Sequence, residues 1–496
     1  MDLSSEPLGI PHAVLVSFPA QGHLNPILAL AKLLHSHGGF RVTLVNTEFN
    51  HHRLLRSSPT AAAAANDFID GFRLAAIPDG LTQIPINADT TPDIPTLCHS
   101  TRQHCPTFFR RLLSTLSPPA TCVIADGGMF SCGAAAIELG IPAWLFYTHS
   151  GCGFWSYMNF PELVHRGYTP LKEESFLTNG YMDTKIDCIP GMEGIRLRDL
   201  PSFIRTINAA DVMLQIILER ADNASKGVGI ILNTFDALEP EVLAAVRKKF
   251  SNIYSVGPLA AVQHMLVAET SEAAMIGSSL WKNDSECLSW LDGQEVGKVV
   301  YVNFGSIAVL SAQQLEEFAW GLAAAGYPTL WIIRSDLVRS GGAAALLPEA
   351  FFQQMKGRAK VVAWCDQEAV LAHPAIGVFL THCGWNSTLE SLWEGVPMVC
   401  WPYFAEQATN CHYICRVWGV GLEIEGEVRR ELLEKLLREA MEGNKAAEMK
   451  RMAMEWKQSA RMAIEPGGSS YVNLEKLMID LTEAKKYVNE AAITLS

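Results

Sequence analysis

Between Trp364 and Gln407 the chain places an indole, carboxylates, amides and hydroxyls at intervals that suit one kind of ligand. At the centre lies Thr381-His382-Cys383-Gly384-Trp385-Asn386-Ser387. There a short apolar run ends, a glycine permits a tight turn, and Asn386-Ser387 supply N-cap chemistry for a helix that follows. Such a helix start aims several unbonded N–H groups and the positive end of the macrodipole at one point, which favours a phosphate. His382 and the side chains of Asn386 and Ser387 add donors around that point. Trp364 follows the apolar run 361–363, so its ring stands at a strand's C-terminal edge, where open α/β sheets bind ligands, and Gln367 comes three residues later. Glu390 falls one turn into the helix, at a distance suited to ribose hydroxyls. Glu406-Gln407 offers a carboxylate and an amide to vicinal hydroxyls beyond the next strand. Base platform, ribose acceptor, phosphate turn and hydroxyl clamp describe a site for a nucleotide-sugar. The plainer alternative is a capped helix with a histidine beside it.

The first half carries two more residues at strand ends. His23 falls in the turn after 13–17, and Asp126 closes the run 122–125 before Gly127-Gly128. Taken singly, a structural histidine and a turn aspartate are the common cases.

The elements that must position these residues alternate between strand and helix. The continuous apolar run 13–17 predicts a buried parallel strand, and 24–34 an amphipathic helix with Pro26 in its first turn. Further strands are expected over 41–46, 72–77, 122–125, 143–147, 228–233 and 253–256, with helices over about 96–116 and from about 130. That is a doubly wound sheet. An irregular segment near 150–225 carries aromatics, Tyr157 and Phe160 among them. Over 257–287 the pattern dissolves into an Ala/Ser/Glu-rich stretch, expected to be a mobile interdomain linker. A second alternation follows: strand 299–304 with Gly305-Ser306 at its end, helix 312–325, and strands 330–334, 361–363, 377–380, 397–400 and 420–424. The helix of the central turn is expected over 387–394, and a last helix over about 471–487 has no strand after it.

Composition narrows the function. A chain of 496 residues implies two or three domains, and 49% hydrophobic with 18% charged residues leaves no disordered signature. A net charge of −13 is a poor match to nucleic acid or an anionic membrane. An anionic ligand must therefore be held by local donors. Twelve cysteines without CxxC pairs or metal spacing suit a reducing compartment. The first dozen residues lack a signal-peptide pattern, and no apolar run approaches the ~20 residues of a membrane span. No Asp-x-Asp and no His/Asp cluster with metal spacing occurs, so no metal is expected.

The stretch 364–407, with HCGWNS and its terminal glutamine, resembles over its full length the signature box of the plant UDP-dependent glycosyltransferases of small secondary metabolites. The segments FPAQGHLNP, IPGMEGIRLRDLPSF, ILNTFDALEPEV and YVNFGS extend the resemblance over nearly the whole chain, closest to the branch that glucosylates terpenoid, iridoid and cyanohydrin alcohols. The resemblance implies a GT-B fold, two Rossmann-like doubly wound parallel-sheet domains facing across a cleft. By it, 1–256 binds the acceptor, 257–287 links, 288–465 binds the UDP-sugar, and 466–496 crosses back to the first domain. It implies UDP-glucose as donor co-substrate and no permanently bound cofactor; a monomer is expected, and the cysteine usage with the lack of a signal-peptide pattern and of a long apolar run reads as a cytoplasmic location.

It also implies roles. The histidine matching His23 is the general base, and an imidazole's pKa near neutrality suits removing a proton from an alcohol that attacks sugar C1 with inversion. Asp126 would hydrogen-bond His23 and fix its tautomer. Trp364 would stack on uracil, Cys365 contact it through the backbone, and Gln367 and Glu390 hold ribose. Ser306, His382, Gly384, Asn386 and Ser387 would surround the phosphates, where the leaving UDP gains charge. Trp385, Glu406 and Gln407 would face the sugar, with Thr148 reaching over from the first domain. Pro19, Met129, Phe130, Thr148, Phe154, Trp155, Phe203 and Phe404 would line the pocket for a hydrophobic alcohol or phenol. The chain departs from the family pattern at Glu406, commonly Asp, and at Cys365-Asp366, commonly Ala-Pro.

Three other readings share the architecture. A nucleotide-sugar isomerase or epimerase needs its acid/base groups inside the sugar site. A nicotinamide dehydrogenase needs a GxGxxG that neither first βα turn carries. A non-catalytic UDP-sugar-binding protein has no use for His23 and Asp126.

Overall fold

A computed structural model of the chain describes residues 9–57, 59–66, 69–81, 93–268, 270–271, 273–334, 337, 347, 349–484 and 487. Two parallel sheets organise it. The first is built from β1 (His12–Val16), β2 (Arg41–Thr47), β3 (Phe72–Ile77), β4 (Cys122–Asp126), β5 (Ala143–Tyr147), β6 (Ile230–Leu232) and β7 (Ile253–Ser255), in the order 3-2-1-4-5-6-7. The second comprises β8 (Val299–Asn303), β9 (Thr329–Ile332), β10 (Ala359–Val362), β11 (Ile376–Thr381), β12 (Met398–Cys400) and β13 (Gly421–Glu423), in the order 10-9-8-11-12-13. The central strands are apolar on both faces because helices cover both sides: every residue of β1, β4, β5 and β8 is buried. This is the GT-B arrangement that the resemblance implies.

Each sheet reverses its strand order at one point. In the first, β1 lies beside β4, and in the second β8 lies beside β11. Loops leaving the C-terminal ends of such neighbours diverge to opposite faces and open a crevice. His23 follows β1, Asp126 ends β4, Gly305-Ser306 follows β8, and His382 follows β11. Topology therefore brings the chemistry-bearing residues of each half to one edge.

The helix after β1 runs from Gln21 to Ser36, three residues earlier than expected, and Pro26 sits in its second turn. Proline has no N–H to donate to the carbonyl four residues back, here Gly22. The stretch 257–287 is not patternless. A helix, Leu259–Leu266, buries Leu259 and Val262 in the first-domain core, and Ile276 and Leu280 join them. Gln21 fastens the segment further, with its Oε1 accepting from Leu280 N–H (2.7 Å) and its Nε2 donating to the Ser278 carbonyl (2.8 Å). Abundant Ala and Ser had hidden this helical spacing.

The last helix, Ser469–Thr482, returns to the first sheet. Leu474, Leu477 and Leu481 enter the same core as Tyr254, whose hydroxyl donates to Asp480 at 2.6 Å. A hydrogen-bonded seam joins the halves beside the cleft. The Trp385 and Trp418 indoles donate to the carbonyls of Asn233 (2.7 Å) and Leu238 (3.0 Å), and the Thr409 hydroxyl to that of Asp199 (2.8 Å). Among the described residues, no helix is long and apolar enough to cross a membrane.

Candidate active site

The two switch points face a single cleft of about 920 Å³ lined from both halves. On the first-domain side His23 lies in the opening turn of its helix. Its Nδ1 is 2.8 Å from Asp126 Oδ2 and 3.0 Å from Thr148 Oγ1. Asp126 is 1% exposed, and its other oxygen accepts the Gly128 N–H at 2.6 Å, so the carboxylate is fixed at both ends. A carboxylate only accepts, so Nδ1 carries the proton and Nε2 keeps its lone pair. His23 itself borders the cleft with 30% of its side chain exposed. The arrangement is a proton acceptor with an oriented ring.

Opposite stands the turn before the helix Trp385–Glu394. Its N-cap is Gly384, without a side-chain cap bond, so the helix starts two residues earlier than expected and Asn386 and Ser387 lie inside its first turn. The Asn386 amide instead crosses the cleft and donates to the Gly22 carbonyl at 2.9 Å. The His382 ring is wedged between two glycines, for a Cβ on Gly384 or on Gly305 would lie 2.4 Å from its Nε2. Gly305 also has φ +70°, a conformation that glycine adopts without strain. Burial first, and Arg334 second, push His382 down to about 4, so it faces the turn as a neutral ring.

Behind the turn Gln367 organises a polar ring. Its Nε2 donates to Ser387 Oγ (2.8 Å) and Glu390 Oε2 (2.6 Å), and its Oε1 accepts from Asn303 (2.7 Å) and the Tyr301 hydroxyl (3.0 Å). Burial, and then the neighbouring Glu368 carboxylate, push Glu390 up to about 8. Trp364 stacks on Trp281 with centroids 5.7 Å apart at 28°, which holds the indole at the cleft wall; Cys365 is buried, with its sulfur 3.3 Å from the Tyr301 hydroxyl. Ser306 also lines the cleft.

At the far end Glu406 Oε2 accepts from the Tyr157 hydroxyl at 3.0 Å. Gln407 Oε1 accepts the backbone N–H groups of Tyr403 (2.9 Å) and Phe404 (3.0 Å), which leaves its NH2 end for a ligand. Trp385 borders the cleft, but its indole N–H is committed to Asn233.

The residues expected to line an acceptor pocket divide. Phe203 and Phe404 line the cleft with ring centroids 6.5 Å apart, and Thr148 joins them. Pro19 borders a small neighbouring pocket with Arg53 and Trp281. Met129, Phe130, Phe154 and Trp155 do not line the cleft: all four are buried in the core, Phe154 against Tyr147 (4.6 Å) and Trp155 with its N–H on the Pro190 carbonyl (2.8 Å). An aromatic-rich segment was too coarse a signal for a pocket, because such rings pack first. Residues that line the cleft and escaped sequence reasoning include His149, Tyr157, Met213 and Arg220. The last two were detectable, since seven residues apart on one helix they share a face. Behind the turn, the sulfurs of Cys383, Cys400 and Cys411 lie within 4.8 Å of one another, a grouping that wide spacing concealed.

The chain's similarities agree with this geometry. Residues 282–458 match the family model described as UDP-glucoronosyl and UDP-glucosyl transferase. The chain is 50% identical over 476 residues to a 7-deoxyloganetin glucosyltransferase of Gardenia jasminoides, covering 94% of this chain and 97% of that one. It is 48% identical over 473 residues to an (R)-mandelonitrile beta-glucosyltransferase of Prunus dulcis, covering 94% and 96%. Among solved structures, Os79 from O. sativa in complex with UDP superposes with a TM-score of 0.77 at 26% identity, over 95% of this chain and 100% of that one. With half its residues shared along nearly the full length of such a relative, the chain belongs to the UDP-glucuronosyl and UDP-glucosyl transferase family and is a glycosyltransferase that uses a UDP-sugar as donor.

Proposed function

We propose that this enzyme transfers glucose from UDP-glucose to a hydroxyl of a small lipophilic acceptor, a terpenoid, iridoid, cyanohydrin or phenol, with inversion at C1. The observation that carries the reading is the Asp126-oriented His23 facing the turn of the other domain across one cleft. The acceptor's O–H proton passes to His23 Nε2 as its oxygen bonds to C1, and the C1–O bond to UDP breaks with its electron pair leaving on the diphosphate. An α-linked donor thus yields a β-glucoside. The N–H groups of the helix start at Trp385, with Ser387 and Ser306, are suited to the charge that develops on UDP. Trp364 is suited to uracil, Gln367 and Glu390 to ribose, and Glu406, Gln407 and Thr148 to the sugar. The names of the two curated relatives support glucose and small alcohols. Domain bounds of 1–256, 257–287, 288–465 and 466–496, a monomer and the cytoplasm complete the reading; twelve unpaired cysteines support the last.

The test is incubation with UDP-glucose and a panel of alcohols, read by mass spectrometry and by the anomeric proton coupling of the product. A β-glucoside formed by the wild type and not by His23→Ala is expected. A covalent glucosyl-enzyme, or an α-product, overturns the mechanism. Preference for UDP-galactose, UDP-xylose or UDP-glucuronate overturns the sugar assignment.

A further inference from the structure

The acceptor side of the cleft contains a cation that the transferase reading leaves unused. Arg220 lies on the helix Val212–Asn223, one face of which turns Met213 and Arg220 into the cleft. Its Nε is buried and has no hydrogen-bond partner among the described residues. Among the described residues no carboxylate forms an ion pair with it, and three from its surroundings have partners of their own. Glu219 pairs with Arg102 at 2.6 Å, Glu406 takes the Tyr157 hydroxyl, and Asp126 holds His23 and the Gly128 N–H. The same cleft carries apolar side chains from the first half, Ile94, Cys98, Met213 and Phe203, and Arg220 acts electrostatically on His149 and Tyr157.

A guanidinium with a buried, unbonded Nε and no ion pair among the described residues gains from a ligand that supplies an anion, and its planar fork suits a carboxylate. His149 does not compete for that anion, because burial pushes its ring down to about 4 and its Nδ1 donates to the Ser150 carbonyl. We propose that Arg220 pairs with a carboxylate on the acceptor, so that the preferred substrates are lipophilic hydroxy acids held with the hydroxyl at His23 and the acid group on Arg220. The proposal rests on the transferase reading and deepens it, for a net charge of −13 gives such an acid no general attraction and leaves the selection to one side chain.

The experiment compares hydroxy acids with their own methyl esters, for example a hydroxyaryl propanoic acid, a monoterpenoid hydroxy acid and a hydroxylated fatty acid. Alkali stability of the product verifies attachment at the hydroxyl. For at least one pair the wild type should show kcat/KM about tenfold or more higher for the acid, the size of a charge-assisted hydrogen bond. In Arg220→Gln that ratio should fall to about one while turnover of the ester persists, which also proves the variant folded; Arg220→Lys should restore part of the preference. Esters used as well as acids in every pair, or a ratio untouched by Arg220→Gln, would overturn the proposal and leave the transferase intact. Absence of transfer to acids, esters and neutral alcohols alike would overturn both.

Discussion

Asn386 reaches across the cleft to donate to the carbonyl of Gly22, and Pro26 leaves that carbonyl without a helical claimant. In an ordinary helix the N–H of residue 26 would bond it. A proline inside the helix therefore ties the turn that carries His23 in one domain to the turn that carries His382 in the other. Pro26→Ala restores the competing N–H. The thermal midpoint should rise, since alanine favours a helix by about 3 kcal/mol over proline, while kcat/KM for UDP-glucose falls several-fold. Unchanged kinetics would make the freed carbonyl incidental.

The His23–Asp126 pair predicts a separation of binding from chemistry. Replacing His23 by Ala should lower kcat by about 10²–10⁴-fold, the usual contribution of a general base. UDP affinity by calorimetry should stay within about twofold, because no nucleotide-side residue depends on the ring. Asp126→Asn should also lower kcat strongly, as the amide can present its NH2 to Nδ1 and stabilise the wrong tautomer. Equal loss of UDP binding in both variants would count against this division.

Glu406 is held by Tyr157, a residue of the opposite domain. Removing the hydroxyl in Tyr157→Phe frees a carboxylate suited to grip the sugar. KM for UDP-glucose should rise about tenfold, as expected for one hydrogen bond to a charged group, while affinity for UDP alone is unaltered. Initial-rate kinetics together with UDP titration read both.

Glu390 gives a pH dependence with a defined sign. Its folded pKa is raised, to about 8, so the native state binds more protons than the unfolded chain between the ordinary carboxylate range and that value. Stability then declines as pH rises through this window and levels off above it. His382 and His149, pushed down to about 4, act on the other side, with stability lost as pH falls from about 6.5. Melting curves from pH 6.5 to 8.5 should fall for the wild type and flatten for Glu390→Gln. Parallel slopes would remove Glu390 as the cause.

The proposed donors to the diphosphate are backbone amides and hydroxyls. Activity should therefore persist in excess EDTA and gain nothing from added magnesium or manganese. A strict requirement for manganese would refute the proposed stabilisation of UDP.

Much of this was legible in the residues. Uninterrupted apolar runs located most strands, because a parallel strand covered on both faces must be apolar throughout, and β5 agrees with its expected bounds to the residue. In the stretch 364–407 the order of strand, turn and helix was legible because it is local, but the cap was not: Gly384 takes that place and Asn386 turns to the other domain. Long-range partnership was not. Nothing near Asn386 signals Gly22, nothing near Trp385 signals Asn233, and Trp155 looked like a pocket residue until its N–H was found on Pro190. Glu406 gave a carboxylate but not Tyr157, and the helix over 259–266 was lost in small residues.

The seam between the halves is asymmetric. The second half contributes specific side chains, Trp385, Trp418 and Thr409, whereas the first answers with peptide oxygens of Asn233, Leu238 and Asp199. A peptide oxygen is present whatever the side chain attached to it. The first half can therefore drift in sequence without forfeiting its grip on the second, and under the proposed division of labour one sugar-handling module would serve a lineage of diverging acceptor specificities.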